Sequence, residues 1–325
     1  MKSKYNAGEP GESIDDILEE VRQVIEGRNF ASLDEANAFL EEYMRKRNQQ
    51  PLAAFHGLSA EQMFHFLHMP FDSPHLVTFT PAPEGALSAP IMRLFSLLLP
   101  EIPEKGLKAT AKGNLPRQVV RNIALSYWGE EKYEEKTKDF QLNTELDFFH
   151  LHVTKIIAEL AGFLRKREGK LFVTKKCRTL LDREGMAGIY LPLFRTLAWK
   201  FNWGYYHISI QLAIVQQSFL FTLYLLHRYG ERWRDTSFYK DAFLEAYPHA
   251  VMEIGDRPNL GSAEKIVRTL YEARALTFFC DLAGLAEWRS IGEVMERKCE
   301  IRKTALLDAF VHFKPDIAKQ DMRPS

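Results

Sequence analysis

From Glu159 to Asp182 the chain runs ELAGFLRKREGKLFVTKKCRTLLD. This stretch opens as the end of a helix, and Leu160-Ala161-Gly162 supplies the stop, because glycine tolerates the left-handed backbone that closes many helices. Two short runs follow, Phe163–Arg167 and Lys170–Val173, separated by Glu168-Gly169. Paired apolar and charged residues around a glycine turn predict a two-stranded hairpin. Thr174 then stands where a threonine caps a new helix, predicted to reach Leu181.

The same pattern returns near the end of the chain. DLAGLAEWRSIGEVMERKCEIRKTALLDAF spans Asp281 to Phe310. Both segments read acid-Leu-Ala-Gly, then charged residues, a strand-like piece, Thr and Leu-Leu-Asp, and the second has the longer middle. This predicts a duplicated module of helix, hairpin and helix; two copies do not make a solenoid.

Outward from these segments the chain is punctuated into helices. Residues 1–12 read as disordered. A first helix is expected from Ser13, with Asp15 and Asp16 in its first turn, where the helix dipole favours anions. Ile14, Ile17, Leu18, Val21 and Ile25 recur at helical spacing up to Gly27. Ser32 with Glu35, and Ser59 with Gln62, have the spacing of capping boxes. Residues 13–71 therefore form a helical N-terminal unit; residues 1–50 carry seven basic and eleven acidic side chains. Residues 72–105 are proline-rich, with a short strand at Leu76–Phe79 and a helix from Ile91 to Leu99, and read as a connection. A first module is assigned to 106–185. A C-terminal helical domain with the second module takes 186–325, organised by an apolar helix from about Tyr206 to Tyr229.

The segment LAGFLRKREGKLFVTKKCRTLL resembles a winged helix, in which a helix ends at a small residue, a two-stranded wing follows and a threonine caps the next helix. That resemblance implies a mainly α fold, a helical N-terminal unit plus two winged-helix-like modules, and implies binding to nucleic acid or to protein. A wider resemblance, carried by GLSAEQMFHFLHMPF, LKATAKGNLPRQVV and FNWGYY with QQSFLFTLYLLHRYG, is to uncharacterised bacterial proteins. Some of these stand near the plasmid open-reading-frame-three family or carry a SecA-type C-terminal cysteine motif. The cysteine cluster is absent here, so that resemblance implies no zinc site.

Charge narrows the function classes. The 43 basic and 43 acidic side chains cancel, whereas a dedicated nucleic-acid binder usually carries a basic excess. Any electrostatic argument must be local. Residues 105–121 hold Lys105, Lys108, Lys112, Arg117 and Arg121 with no acid. Residues 160–185 hold Arg165, Lys166, Arg167, Lys170, Lys175, Lys176, Arg178 and Arg183 against Glu168, Asp182 and Glu184. The candidate contacts to a nucleic-acid backbone are Lys112, Arg117, Arg165, Lys166, Arg167, Lys170, Lys175, Lys176 and Arg178, because neutralising phosphates supplies sequence-independent affinity. The alternative is a solvated wing and helix face. The helix before the wing, ELDFFHLHVTKIIAELAGF, offers Asp147, His150, His152, Thr154, Lys155 and Glu159, with no Arg, Asn or Gln for bidentate base contacts.

Other chemistries find weaker footing. Glu61, His65 and His68 share a helix face but lack zincin spacing, and read as a polar rim. His150 and His152 point to nearly opposite sides of a helix. His207 and His227 read as partly buried and hydrogen-bonded. No Gly-x-Ser-x-Gly, phosphate loop or dinucleotide fingerprint occurs, so no catalytic residue, metal or cofactor is assigned. Cys177 has basic neighbours that would favour a thiolate, yet its helical neighbours Leu180 and Leu181 favour burial. Glu296-Arg297-Lys298 with Asp281 gives a nuclease-like echo, remote because such sets recur by chance. The rings of WKFNWGYYH, Trp199 to His207, read as a stacking platform or as the packed start of a buried helix.

Cys177, Cys280 and Cys299 form no Cys-x-x-Cys pair, which suits a cytoplasmic chain with reduced thiols. The greasy run Ile208–Leu226 carries Gln211, Gln216 and Gln217, which are costly in a bilayer, so no membrane partner is expected. The partners left open are a nucleic-acid backbone, a protein, and a second copy of the chain in a homodimer.

Overall fold

The computed structural model describes residues 14–139, 141–205, 210–255, 260–292 and 298–314. Ser13 and residues 1–12, for which a cap and disorder were expected, lie outside them. The N-terminal unit is α1 (Ile14–Glu26), α2 (Leu33–Asn48) and α3 (Ala60–His68). Of the two expected capping boxes, that of Ser59 and Gln62 forms in full and that of Ser32 and Glu35 in half. Ser32 Oγ accepts from the Glu35 backbone N–H, and the Glu35 carboxylate takes the N–H of Ala31. Ser59 and Gln62 bond reciprocally. A short strand, β1 (Val77–Phe79), follows.

The remainder is mainly α-helical and runs twice through one order. The first pass is α4 (Pro90–Leu98), β2 (Leu107–Lys108), α5 (Arg117–Trp128), α6 (Glu130–Thr137), α7 (Phe149–Leu160), the hairpin β3 (Leu164–Arg167) and β4 (Lys170–Val173), and α8 (Lys175–Glu184). Two linking helices come next, α9 (Tyr190–Trp199) and α10 (Ala213–Gln217). The second pass is α11 (Phe219–Tyr229), β5 (Arg234–Asp235), α12 (Thr236–Ala246), α13 (His249–Ile254) and α14 (Ala263–Tyr271). A π-helical stretch, Glu272–Phe279, carries α14 into α15 (Cys280–Leu282), followed by β6 (Ala286–Ile291), β7 (Lys298–Lys303), α16 (Ala305–Phe310) and β8 (Val311–Phe313).

The repetition extends to individual hydrogen bonds. Gly162 and Gly284 both adopt the left-handed backbone, with φ of 76° and 73°. The Thr174 hydroxyl donates to the Gly162 carbonyl at 2.7 Å, and the Thr304 hydroxyl to that of Gly284 at 2.7 Å. Phe163 N–H reaches the Ala158 carbonyl at 2.8 Å, and Leu285 N–H that of Cys280 at 2.9 Å. Each hairpin gains a third strand in the same register: Leu107 opposite Leu171 in the order β2-β4-β3, Arg234 opposite Ile301 in the order β5-β7-β6. Leu171 and Ile301 both face the core and are buried.

One hydrophobic core runs through both passes. The segment 72–105 contributes to it, since Ile91, Leu94, Phe95 and Leu98 of α4 are fully buried. Gly284 sits so close to the start of α4 that a Cβ added there would come within 2.8 Å of Ala89 Cα. The strand expected in this segment forms, and it pairs with β8, Val77 opposite Phe313 and Phe79 opposite Val311. The expected long helix over 206–229 is broken. Residues 206–209 lie outside the described residues, Leu212 is extended, and Ser218 (φ −80°, ψ 13°) separates α10 from α11. Gln216 explains the break: its side-chain nitrogen donates to the carbonyls of Ala198 and Phe201 at 3.0 and 2.8 Å, and its oxygen accepts from Trp203 N–H. Its amide thus serves the end of α9. Among the described residues no helix is long and apolar enough to cross a membrane.

Candidate nucleic-acid interface

The first hairpin appears one residue shorter at its start than expected, Leu164–Arg167 and Lys170–Val173, and Thr174 caps α8 through the Cys177 N–H. Cross-strand partners share a face of a sheet. Leu164 with Val173, and Lys166 with Leu171 and Leu107, take the core side. Arg165 with Phe172, and Arg167 with Lys170 and Lys108, take the outer side. The outer face therefore carries Lys108, Lys170 and Arg167 in one row, directly opposite one another across three strands spaced about 4.8 Å apart.

The nine expected contacts divide by this geometry. Arg165, Arg167 and Lys170 are exposed on the outer face. Arg167 shares its charge with the neighbouring Glu168 at 3.0 Å, and Lys170 Nζ donates to the Lys105 carbonyl at 3.3 Å. Lys166, on the other face of the sheet, is exposed and pairs with Glu159 at 3.3 Å. Lys176 folds back to donate to the Ala161 carbonyl at 2.7 Å and lies 5.3 Å from the Phe163 ring. Lys112 in the turn after β2, Arg117 at the start of α5, and Lys175 and Arg178 on α8 are exposed. Two outer-face residues were not among the nine. Lys108 was visible only as part of a basic run; the register of β2 places it. Phe172 alternates with buried Leu171, a signal the sequence did hold.

The second hairpin carries the same row with different charge. Asp235, Glu300 and Arg289 stand where Lys108, Lys170 and Arg167 stand in the first. Arg289 pairs with Glu300 at 2.7 Å, and Arg302 with Glu287 through Nε at 3.0 Å. Both guanidinium groups lie over the ring of Trp233, at 4.3 and 4.8 Å from its centroid. Among the described residues, the outer row of this wing answers its own cation.

The helix preceding the first wing is not available to a groove. In α7, His152, Thr154 and Lys155 are buried, and its one permanent cation, Lys155, is 1% exposed. Lys155 Nζ donates to Glu145 at 2.7 Å, His152 Nδ1 faces the same carboxylate at 2.5 Å, and the Leu115 N–H donates to it as well. Burial opposes ionisation of Glu145, but these three donors overcome it and hold the carboxyl below its usual range. The Tyr205 hydroxyl meets His152 Nε2 at 2.9 Å.

The remaining candidates settle into structural roles. Cys177 is fully buried, and that burial pushes its thiol up to about 11 despite Arg178 beside it. His65 Nδ1 bonds to Ser73 Oγ at 2.9 Å, and His68 packs on Phe64 with ring centroids 4.6 Å apart. His227 Nδ1 meets Asp308 at 3.0 Å. Among the described residues no group of three His, Cys, Asp or Glu is placed to hold a metal ion. Asp281 ends a helix with its carboxyl 3.7 Å from His150 Nε2, and burial pushes it up to about 6; Glu296 and Arg297 lie outside the described residues. Trp203 is buried against Phe279 at 4.5 Å, while Trp199 and Tyr205 remain half exposed; Tyr206 and His207 lie outside the described residues.

Residues 87–186 match the family model of the Y4jL N-terminal domain. The matched segment takes in the whole first pass, from α4 to α8, and with it every one of the nine candidate contacts. The chain matches no curated protein and no solved structure.

Proposed function

We propose that the protein is a non-catalytic macromolecule-binding protein that grips the phosphate backbone of nucleic acid, without reading its sequence, through the outer face of the first wing. The order helix, strand, three helices and hairpin in each pass supports a reading as two winged-helix-like modules. The observation that carries the function is the contrast between the wings. Like charges directly opposite on a sheet are destabilising, by about 0.2–1 kcal/mol per pair. The second wing answers its one outer-row cation with two carboxylates in the same row, so the fold itself does not call for three cations there. Among the described residues Arg167 is answered only by the exposed Glu168 beside it, Lys108 and Lys170 are relieved by an anion from outside, and a row about 10 Å long suits successive phosphates. Burial of His152, Thr154 and Lys155 in α7 argues against major-groove base reading, so the expected binding tolerates any sequence.

The test is a salt titration with labelled single-stranded and duplex DNA of random sequence. Each phosphate neutralised contributes about 0.7–0.9 to the slope of log affinity against log salt. The wild type is expected to show a slope of at least about 2 in magnitude, and Lys108→Ser/Arg167→Ser/Lys170→Ser to lose about 2 of it. Arg289→Ser in the second wing should leave it unchanged. Absence of binding at low salt, or a slope unaltered by the triple substitution, overturns the proposal and leaves a protein-interaction module with a solvated wing.

A further inference from the structure

Between the cations of the first wing lies an aromatic ring that the core does not use. Phe172 stands directly opposite exposed Arg165, on the face away from the core, while Leu171 and Val173 on either side pack inward. Among the described residues it belongs neither to the hydrophobic core nor to any ring pair. It lies over Gly106: a Cβ added at that glycine would come within 2.6 Å of the ring. Gly106 has φ of 84°, so both its backbone and the ring above it favour the absence of a side chain.

The second wing shows what this position holds when the protein fills it from its own chain. The residue before β5, in the place of Gly106, is Trp233, and the counterparts of Phe172 and Arg167 are Arg302 and Arg289, whose guanidinium groups cover the indole. One wing carries its own large flat ring between two flat cations. In the other the half-buried Phe172 ring itself lies over the glycine, beside a row of cations.

We propose that the first wing binds single-stranded nucleic acid, with a nucleobase stacked on Phe172 beside Arg167 and the neighbouring phosphates on Lys108, Lys170 and Arg167. The Phe172 ring takes the place over Gly106 that the Trp233 indole takes in the second wing, and the base stacks on its solvent-facing side. Stacking is indifferent to base identity because every base has a π-face, and a duplex keeps its bases stacked inside. This rests on the reading of the wing as a phosphate-binding surface, and it adds the class of nucleic acid and the residue that selects it.

The probes are three labelled DNAs of about 16 nucleotides, the upper site size of such platforms: a single strand of thymidines, an abasic single strand and a duplex. The wild type is expected to bind the thymidine strand more tightly than either of the others. Phe172→Ala should weaken that binding roughly 5- to 150-fold, the range for one stacked base, while the salt slope stays as it was. Phe172→Trp should retain the affinity, and because the half-buried ring also packs on Gly106 both variants are first shown by circular dichroism to be folded at the temperature of the titration. If Phe172→Ala binds like the wild type, or the abasic and thymidine strands bind equally, the stacking proposal is overturned while a steep salt slope keeps phosphate binding alive. If none of the three binds, both fall together.

Discussion

Gly162 and Gly284 offer a measurement with its own control. Both occupy the same turn, with nearly the same positive φ, and both turns accept the same threonine hydroxyl. Alanine at either position must hold a backbone conformation that costs an L-residue about 1–2 kcal/mol. The surroundings then separate the two. At Gly162 the nearest heavy atoms to an added Cβ are Nζ and Cδ of Lys176, at 3.7 and 3.8 Å, ordinary contacts with a side chain. At Gly284 the added Cβ meets Cα and Cβ of Ala89, both at 2.8 Å. Ala89 is the N-cap of α4, which leads into four fully buried residues, so it cannot step aside without moving that helix. Overpacking of this kind costs about 1–3 kcal/mol more. Gly162→Ala is therefore expected to lose about 1–2 kcal/mol and Gly284→Ala about 2–5 kcal/mol. Urea unfolding followed by circular dichroism and by tryptophan fluorescence measures both. Equal losses at the two glycines would refute the reasoning, because the backbone term alone would then account for both and the close approach of the second repeat to α4 would carry no energy.

Two further outcomes are expected. Lys170→Glu places a carboxylate between Lys108 and Arg167, as Glu300 stands between Asp235 and Arg289; it should raise stability by up to about 1 kcal/mol per repaired cross-strand pair at low salt while abolishing DNA binding, and a loss of both together would count against the row. Glu145→Gln leaves Lys155 buried without its counter-charge and should cost about 3 kcal/mol. Because the Glu145 carboxyl is held below its usual range in the folded protein, its contribution is present above the ordinary glutamate value and is lost as pH falls through the folded value; the variant's stability should vary less with pH on the acid side, and an unchanged acid limb would show that the cluster is not responsible.

What the sequence made legible was local. Gly162, Gly169 and Thr174 lie within a few residues of the strands they delimit, and the hairpin and its following helix appear where those residues put them. The repeat was visible for the same reason, since Leu-Ala-Gly and Thr mark a turn made by neighbours. What stayed hidden depends on pairing at a distance. Strands of two residues, such as β2 and β5, carry no alternation to read, so the third member of each sheet was beyond reach, and with it the alignment of Lys108 with Lys170. The Glu145 cluster joins an acid in a turn before α7 to a histidine and a lysine along that helix, and only the packed structure reveals that all three are buried. Gln216 was read as a reason against a bilayer; the folded chain gives its amide a different part, at the end of another helix.

The pairing of β1 with β8 has a consequence for how the chain is made. Val77 leaves the ribosome more than two hundred residues ahead of Phe313, its partner. At about 5–20 residues per second, that strand waits roughly 10–50 seconds for completion. Throughout that interval its backbone edge and the apolar side chains of Val77 and Phe79 have no finished home. The late strand β8 acts as the clasp, and nascent chains halted before it should be the ones that chaperones hold.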